Sequence, residues 1–286
     1  MTPALAPTKE DYATVQAITR QARSSFYWSL RIMPNPQRSA MFAVYALCRV
    51  LDDIADGPLP AADKVTQLEA WRDELHAAFK GNPAQPITRV LAAVNRHYHF
   101  PLPEFDALIE GMLMDANGPL VGPDLAEMEL YCRRVAGTVG RLSLAVFGRC
   151  DAAALAFGDH LADALQLTNI LRDQAEDAAV DRLYFPREVL QRHHIPVTPQ
   201  DALTHPDILK VRGFLGARAR AAFRQAEAAL EGQPRQGLGP ALMMMATYTE
   251  ILNRLEKRGW GDVSPLHFPR HEKLLIALGQ LFRWPR

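Results

Sequence analysis

Apolar residues recur three and four positions apart along most of the chain, and strict alternation of apolar with polar residues is absent. A spacing of three to four residues places apolar side chains on one face of an α-helix. The residue types agree with this pattern, because Ala, Leu, Arg, Glu, Gln and Met favour helices. The segment 217–230 shows it most plainly, with the sequence ARARAAFRQAEAAL.

Prolines divide the chain into windows of helix length. A proline inside a helix costs ~3 kcal/mol or more and therefore tends to lie at a helix boundary. Gly81 and Gly232, each near the end of such a window, are typical of helix C-terminal ends. The proline-free windows are 8–33, 37–57, 61–82, 87–100, 104–118, 124–185, 207–233, 241–264 and 270–284. We therefore predict a single all-α domain over residues 1–286, built of ten or more helices.

The composition excludes several classes of protein. The 32 Lys and Arg residues balance 32 Asp and Glu residues, and the chain lacks the basic run that binds nucleic acid. Three widely spaced cysteines, Cys48, Cys132 and Cys150, favour reduced thiols and a cytoplasmic location. The longest apolar run, 40–48, is far below the ~20 residues of a membrane-spanning helix. We expect no nucleic-acid partner and no transmembrane segment.

The window 37–57 carries acidic residues on one side of an otherwise apolar helix. Asp52 and Asp56 are four residues apart, and Arg49 and Tyr45 lie on the same face towards the N-terminus. A helix that is apolar on most sides is mostly buried. The acidic face is therefore expected to open into an internal cavity.

A second polar face lies within the window 124–185. Asn169, Asp173 and Asp177 follow one another at intervals of four residues, with Gln166 one turn earlier. The flanking Leu165 and its apolar neighbours predict burial of the rest of this helix.

Two acidic faces of this kind indicate divalent metal ions. Two carboxylates about 6 Å apart repel by ~3 kcal/mol at an effective dielectric constant near 20, so a buried helix needs a compensating cation. Oxygen ligands favour Mg²⁺, which shares its shell with substrate phosphates. Arg49 and Arg172 supply planar donors for phosphate oxygens. The residues predict a Mg²⁺ site for a phosphorylated or diphosphorylated ligand; two solvated helix faces are the alternative.

Small residues recur at Gly137, Gly140 and Ser143 inside a predicted helix. Each glycine there costs up to ~1 kcal/mol relative to alanine, so the pattern needs a reason. Two interpretations remain open, which are close packing of helices and a groove in which a long apolar chain lies against bare backbone.

Four motifs together resemble the squalene/phytoene synthase family. They are RVLDDIAD at 49–56, YCRRVAGTVG at 131–140, QLTNILRDQAED at 166–177 and RLYFP at 182–186. Their order and separations match, and the resemblance extends from about Ser24 to the C-terminus. It implies the all-α isoprenoid synthase fold, a single large helical bundle around a central cavity. It also implies an enzyme that joins two prenyl diphosphates head to head through a cyclopropyl intermediate.

The resemblance assigns roles to individual residues. The metal ligands implied are Asp52, Asp56, Asn169, Asp173 and Asp177. The implied diphosphate contacts are Ser25, Arg49, Arg172, Arg182, Tyr184 and Lys273. Tyrosines that line the reaction cavity, and that orient the diphosphate or a departing proton, are matched by Tyr45, Tyr131 and Tyr248. The hydrocarbon cavity is expected to be lined by Phe26, Val135, Gly137, Gly140, Leu165 and Gln166.

Within the family, the motif 131–148 is most similar to that of bacterial enzymes that stop at presqualene diphosphate, in hopanoid and squalene biosynthesis. This implies two molecules of farnesyl diphosphate as substrate and Mg²⁺ as cofactor. The alternatives are a phytoene or dehydrosqualene synthase, a terpene cyclase that uses one prenyl diphosphate, and a non-catalytic assembly or lipid-binding relative. For the apolar segment 273–284, core packing and docking on a membrane surface are both open.

Overall fold

The computed structural model describes residues 6–21, 30–31 and 33–262. Within these ranges the chain forms twelve α-helices and one π-helical turn, and its only β-type pairing is an isolated bridge between Val121 and Leu183. The predicted all-α class is therefore confirmed. None of the helices in the described ranges is long and apolar enough to cross a bilayer.

The helices are α1 (Lys9–Gln21), α2 (Asn35–Asp56), α3 (Ala61–Phe79), α4 (Pro86–Tyr98), α5 (Leu102–Ala116), α6 (Leu125–Cys132), the π-helical turn (Arg133–Gly137), α7 (Thr138–Phe147), α8 (Ala152–Ala179), α9 (Arg187–Arg192), α10 (Pro199–Thr204), α11 (Ile208–Ala229) and α12 (Gly239–Lys257). They fall into two compact units. Among the described residues, the first unit comprises those up to Gly118 together with Thr138–Cys150, and the second comprises Pro119–Gly137 and those from Asp151 onwards. The single domain over 1–286 stays a prediction.

Prolines mark the helix starts, as the sequence predicts. Pro34, Pro60, Pro101 and Pro186 are the N-cap residues of α2, α3, α5 and α9, and Pro86 and Pro199 are the first residues of α4 and α10. Proline suits these positions because its fixed φ matches the helix and a first-turn N–H has no partner within the helix. Two helices begin at a capping aspartate whose side chain accepts a backbone N–H, from Glu127 to Asp124 in α6 and from Ala154 to Asp151 in α8.

Burial fixes the orientation of the two helices that carry the acidic residues. In the first unit, α2 packs against α1, α3, α4, α5 and α7 and buries Ala40 to Val44, Ala46, Leu47, Leu51 and Ala55. In the second unit, α8 packs along α11 and buries twelve of its 28 residues. Because the apolar sides of both helices are held by their neighbours, the positions of their polar faces are fixed as well.

A buried ion pair joins α1 to α4 in the first unit. Asp11 is 3% exposed, and its carboxylate accepts hydrogen bonds from Arg89 Nη2 at 2.7 Å and Nε at 3.1 Å. The backbone N–H and the hydroxyl of Thr8 donate to the same carboxylate at 2.7 and 3.0 Å. The bonds with Arg89 are the main cause that lowers the pKa of Asp11 from 3.8 to about 2, against the effect of burial.

We expect Asp11→Asn to lower the free energy of unfolding by ~2 kcal/mol at pH 7. Because the pKa of Asp11 is lower in the folded than in the unfolded chain, this stabilisation is complete above 3.8 and is lost as the pH falls towards 2. Urea unfolding of both proteins at several pH values measures the difference. As a control, Asp207→Asn removes an exposed pair with Lys210 and should leave the urea midpoint unchanged. A loss that is the same at pH 7 and near pH 3 would contradict the assignment.

Candidate active site

The first acidic face occupies the last two turns of α2. Arg49 donates from Nη1 to Asp52 Oδ2 at 3.0 Å and from Nη2 to Asp53 Oδ1. Burial by itself would lower the pKa of Arg49, but the bond with Asp53 and the charge of Asp52 raise it. The Asp52 side chain is 44% exposed, and Asp56 is exposed. The arginine expected to bind phosphate is thus bound, in this structure, to a carboxylate expected to bind metal.

Asp115 of α5 adds a carboxylate that the sequence analysis missed. It is buried, with 8% of its surface exposed. Burial raises the pKa of Asp52 to about 6; repulsion from Asp56 and from Asp115 adds to the rise, and Arg49 opposes it. A signal was present in the sequence, because Asp115 continues the apolar stripe formed by Leu108 and Met112 on the buried side of α5. Asp52 therefore lies in a negative field that favours a cation.

The second acidic face lies in the C-terminal half of α8. Arg172 donates from Nε and Nη2 to the two carboxylate oxygens of Asp173, both at 2.6 Å. Its guanidinium carbon lies 5.9 Å from the ring centre of Tyr248, which is buried on α12. Burial would lower the pKa of Arg172, but the bonds to Asp173 and the contact with Tyr248 raise it well above its ordinary value. As on the first face, an arginine holds an expected metal ligand.

Asn169 lies one turn before Asp173 on α8. Its Nδ2 donates to Gln166 Oε1 at 3.4 Å, whereas its buried Oδ1 accepts no hydrogen bond from any residue in the described ranges. A buried carbonyl oxygen without a donor is unfavourable unless another positive group takes it. An oxygen in this state fits a metal ligand.

The donor set is compatible with Mg²⁺. Among the described residues, no three His, Cys, Asp or Glu side chains come close enough to hold a metal by themselves. Mg²⁺ does not need such a cluster, because it usually takes one or two carboxylates, keeps waters and shares its shell with phosphates. The negative field at Asp52 and the unbonded oxygen of Asn169 both fit this ion.

Tyr131 and Tyr184 form one stacked pair in the second unit. Their ring centres are 5.0 Å apart, the ring planes are 21° from parallel and the two hydroxyl oxygens are 3.2 Å apart. Both residues are buried. The resemblance assigned them to different sets, Tyr131 to the reaction cavity and Tyr184 to the diphosphate. Only the folded chain brings the two hydroxyls together.

A short bridge between two loops holds Tyr184 in place. Leu183 N–H donates to the carbonyl of Leu120, and Gly122 N–H donates to the carbonyl of Leu183, both at 2.8 Å. Arg187 Nε adds a bond to the Gly122 carbonyl at 2.9 Å. Gly122 has a φ of +55°, and a Cβ there would lie 2.2 Å from Val197 Cγ1. Both the backbone conformation and the close approach of Val197 therefore require glycine at position 122.

The segment expected to line the hydrocarbon cavity contains the π-helical turn. This turn, Arg133–Gly137, includes Val135, which is half-buried. A Cβ at Gly137 would lie 2.9 Å from Arg133 Cδ, so the missing side chain makes room for an arginine of the same turn. π-helical turns are frequent at functional sites. The place of Val135 and Gly137 in a hydrocarbon cavity stays a prediction.

The remaining expected site residues are spread over both units. Tyr45 is half-buried on α2, where it interacts electrostatically with Arg49. Half-buried positions are also taken by Gly140, Leu165, Gln166, Asp177 and Arg182. Ser25, Phe26 and Lys273 lie outside the described residues, as does the segment 273–284.

Comparison with known proteins gives one consistent family. The family model of squalene/phytoene synthase matches residues 19–274. Presqualene diphosphate synthase of Rhodopseudomonas palustris is 39% identical over 257 residues, covering 89% of this chain and 92% of that relative. The presqualene diphosphate synthase of Zymomonas mobilis is 39% identical over 254 residues, covering 88% and 86%. Among solved structures, squalene synthase HpnC from Alicyclobacillus acidocaldarius has a TM-score of 0.78 at 26% identity, covering 90% of this chain and 96% of that chain.

We expect Gly122→Ala to destabilise the second unit by ~2 kcal/mol or more, because it combines a strained backbone with a clash against Val197. Thermal unfolding measures the loss. Gly81→Ala is the matched control, since Gly81 also has a positive φ but a Cβ there would meet no atom within 4 Å. Adding Val197→Ala to Gly122→Ala should recover the part of the loss that comes from the clash. Equal losses in the two single variants would contradict a clash at position 122.

Proposed function

This chain belongs to the squalene/phytoene synthase family of prenyltransferases, and on that basis we propose that it condenses two molecules of farnesyl diphosphate to presqualene diphosphate, with release of one pyrophosphate. The observation that carries the proposal is the repeated pairing of an expected metal ligand with an expected diphosphate ligand, Arg49 with Asp52 and Arg172 with Asp173. The similarity to presqualene diphosphate synthases supports the choice of product.

In the proposed reaction, the bond between C1 and the diphosphate oxygen of one farnesyl diphosphate breaks, and pyrophosphate leaves. A double bond of the second molecule attacks that C1, and loss of a proton closes the cyclopropane ring, while the second diphosphate is retained. Bound Mg²⁺ would supply the positive charge that makes pyrophosphate a competent leaving group. The residues that would hold Mg²⁺ are Asp52 and Asp56 on the first acidic face, and Asn169, Asp173 and Asp177 would hold Mg²⁺ on the second.

An exchange of hydrogen-bond partners by Arg49 and Arg172 would prepare both acidic faces for substrate. A carboxylate bound by a guanidinium is largely neutralised, and a diphosphate is a stronger anion with several acceptor oxygens. Arg172 would therefore transfer its two N–H donors from Asp173 to the diphosphate, which frees Asp173 as a metal ligand. Arg49 would do the same from Asp52. These arginines also stabilise the negative charge that develops on the leaving group.

Two groups of tyrosines are candidates for the proton transfer. The Tyr131 and Tyr184 hydroxyls are 3.2 Å apart, so one can donate to the other. Tyr248 lies against Arg172, beside the expected diphosphate site. The base is either one of these tyrosines, such as Tyr248, or the released pyrophosphate. The buried position of all three rings keeps water away from their ring faces.

Incubation of the purified protein with farnesyl diphosphate and Mg²⁺, followed by mass analysis, should yield presqualene diphosphate and one pyrophosphate. Asp52→Ala and Asp173→Ala should each lower pyrophosphate release at least ~100-fold with the helical circular dichroism unchanged, because each removes a metal ligand. Asp106→Ala, which breaks a pair with His76 elsewhere in the first unit, is the control and should retain activity.

Other products would identify the alternatives. Dehydrosqualene, or phytoene from geranylgeranyl diphosphate, would assign the chain to those branches of the family. A cyclised product of one prenyl diphosphate would indicate a terpene cyclase. A folded protein that converts none of these substrates would be a non-catalytic relative. Full activity of either aspartate variant would exclude the proposed roles of the acidic faces.

The exchange of partners predicts opposite effects of Arg172→Gln on two affinities. Affinity for pyrophosphate in the presence of Mg²⁺ should fall ~10-fold or more, because two charge-assisted donors are lost. Affinity for Mn²⁺ alone should rise, because Asp173 no longer has its guanidinium partner. Isothermal titration calorimetry measures both. Arg220→Gln, which removes a pair with Glu256, is the control for loss of an arginine. A variant that binds Mn²⁺ no better than the wild type would contradict the exchange.

A further inference from the structure

Arg212 of α11 is a buried arginine outside all of the family motifs. It is 3% exposed, and its guanidinium donates to three neutral oxygens in three different segments. Nε donates to Gln174 Oε1 at 2.7 Å, Nη1 to the carbonyl of Trp260 at 2.9 Å and Nη2 to the carbonyl of Leu203 at 3.4 Å. Burial lowers the pKa of Arg212 to about 10, so the group is still charged at neutral pH.

A charge in this position is costly to the fold and therefore needs a reason. Moving a guanidinium out of water is unfavourable unless its N–H groups are bonded, and neutral acceptors compensate less than a carboxylate. Met or Leu would fill the same space without a buried charge. What arginine offers instead is a rigid planar fork, which holds several acceptors at fixed angles. The structure uses this fork to hold three segments of the second unit together.

The acceptor on α8 lies in the turn that carries the second acidic face. Gln174 follows Asp173 directly and precedes Asp177 by three residues. Its side chain is buried; Nε2 donates to the carbonyl of Leu171 at 2.8 Å, so Oε1 is left to face Arg212. The carboxamide is thus held at both ends. Because Gln174 projects from the buried side of the helix, its attachment to α11 fixes the rotation of α8 about its own axis at this turn.

Small rotations matter for a metal site. A carboxylate lies about 6 Å from the helix axis, so a rotation of about 20° moves it by about 2 Å. Mg²⁺ requires oxygen ligands at about 2.0–2.1 Å in nearly ideal octahedral geometry, and a displacement of about 1 Å at a reacting centre costs roughly 100-fold in rate. The bond between Gln174 and Arg212 adds a directional restraint to the packing of α8 on α11, at the turn that carries Asp173.

The acceptor at Trp260 ties the end of α12 to the same point. The Trp260 ring lies against α11, and a Cβ at Gly216 would come within 2.3 Å of Trp260 Cζ2. Trp260 has a φ of +64°, a conformation that is unfavourable for a bulky residue and persists only where the surroundings hold it. Arg212 supplies that hold through the Trp260 carbonyl. The helix that ends before Trp260 is α12, which places Tyr248 against Arg172.

We propose that Arg212 is a positioning residue for the second acidic face. Its bond to Gln174 fixes the rotation of α8, so that Asp173 and Asp177 keep the geometry of metal ligands. Its bond to the Trp260 carbonyl fixes the position of the C-terminal end of α12. This inference rests on the proposed function of those carboxylates. It assigns to Arg212 no contact with substrate.

The test measures binding of Mn²⁺ with inorganic pyrophosphate to the full-length protein, by electron paramagnetic resonance or calorimetry. We expect Arg212→Met to weaken this binding about 10- to 100-fold, as loss of an outer-shell partner does at metal sites. Gln174→Met should weaken it to a similar extent. The double variant should be no worse than either single variant, because both remove the same link. Arg212→Lys, which can still donate to Gln174, should recover part of the affinity.

The control is Arg220→Met on the same helix, whose side chain bonds Asn253 and Glu256 of α12. It should leave binding of Mn²⁺ with pyrophosphate unchanged even if it lowers the melting temperature. The proposal is overturned if Arg212→Met lowers stability but binds with wild-type affinity at a temperature where it is folded. It is also overturned if the effects of Arg212→Met and Gln174→Met add in full. If Arg212→Met does not fold, the Gln174→Met and Arg212→Lys variants decide by the same criterion.

Failure of the proposed function has a different signature. Wild-type protein that binds Mn²⁺ with pyrophosphate but converts no farnesyl diphosphate would contradict the reaction and leave the role of Arg212 measurable. Asp173→Ala with unchanged Mn²⁺ binding would remove the second acidic face as a metal site, and with it the inference about Arg212, whichever product the enzyme makes. An Arg212→Met variant with wild-type binding, in an enzyme that makes presqualene diphosphate, would remove only the inference about Arg212.

Discussion

Charged side chains that the fold buries wholly or in part must be compensated, and much of this structure follows from how that is done. Asp11 is compensated by Arg89, Arg49 by Asp52 and Asp53, and Arg172 by Asp173. Arg212 has no carboxylate among its described partners and relies on three neutral oxygens instead. Without these partners, burial would make the charges of Asp11, Arg172 and Arg212 costly. The Asp11–Arg89 pair also joins α1 to α4, and the Arg212 bonds join α11 to α8 and to the segment after α12.

At the two acidic faces the ion pairs form between adjacent residues or within one helical turn, and this has a further consequence. Arg49 neutralises carboxylates three and four residues away, and Arg172 neutralises the next residue, so each expected metal ligand and its partner lie on the same helix. Such pairs form without help from distant residues and can change partners without unfolding a helix. The formal net charge of zero thus agrees with a chain in which acidic and basic groups are matched locally. It does not mean that the surface of the site lacks charge, because Asp52 lies in a negative field.

Contacts between distant segments determine the finer geometry. The bridge between Leu120–Gly122 and Leu183 places Tyr184 on Tyr131, and the fork of Arg212 joins α8 to the end of α12. Neither the bridge nor the Arg212 fork contains a residue that the reaction itself would consume or protonate. Both rely on backbone carbonyls and on glycine at a place where a side chain would collide, Gly122 in the first and Gly216 in the second. The site therefore depends on loop and helix contacts that the motifs do not include.

The sequence by itself determined the all-α class, the helix boundaries at prolines and the two lines of acidic residues, because these depend on interactions within about four residues. It also placed Arg49 and Arg172 beside the carboxylates they bind. Only the tertiary structure decided that Asp115 acts on Asp52, that Tyr131 stacks on Tyr184 and that Arg212 holds Gln174. These partners are 38 to 63 residues apart in the chain. No local spacing encodes them, since they form only after the apolar faces of the helices have packed and fixed which side chains meet.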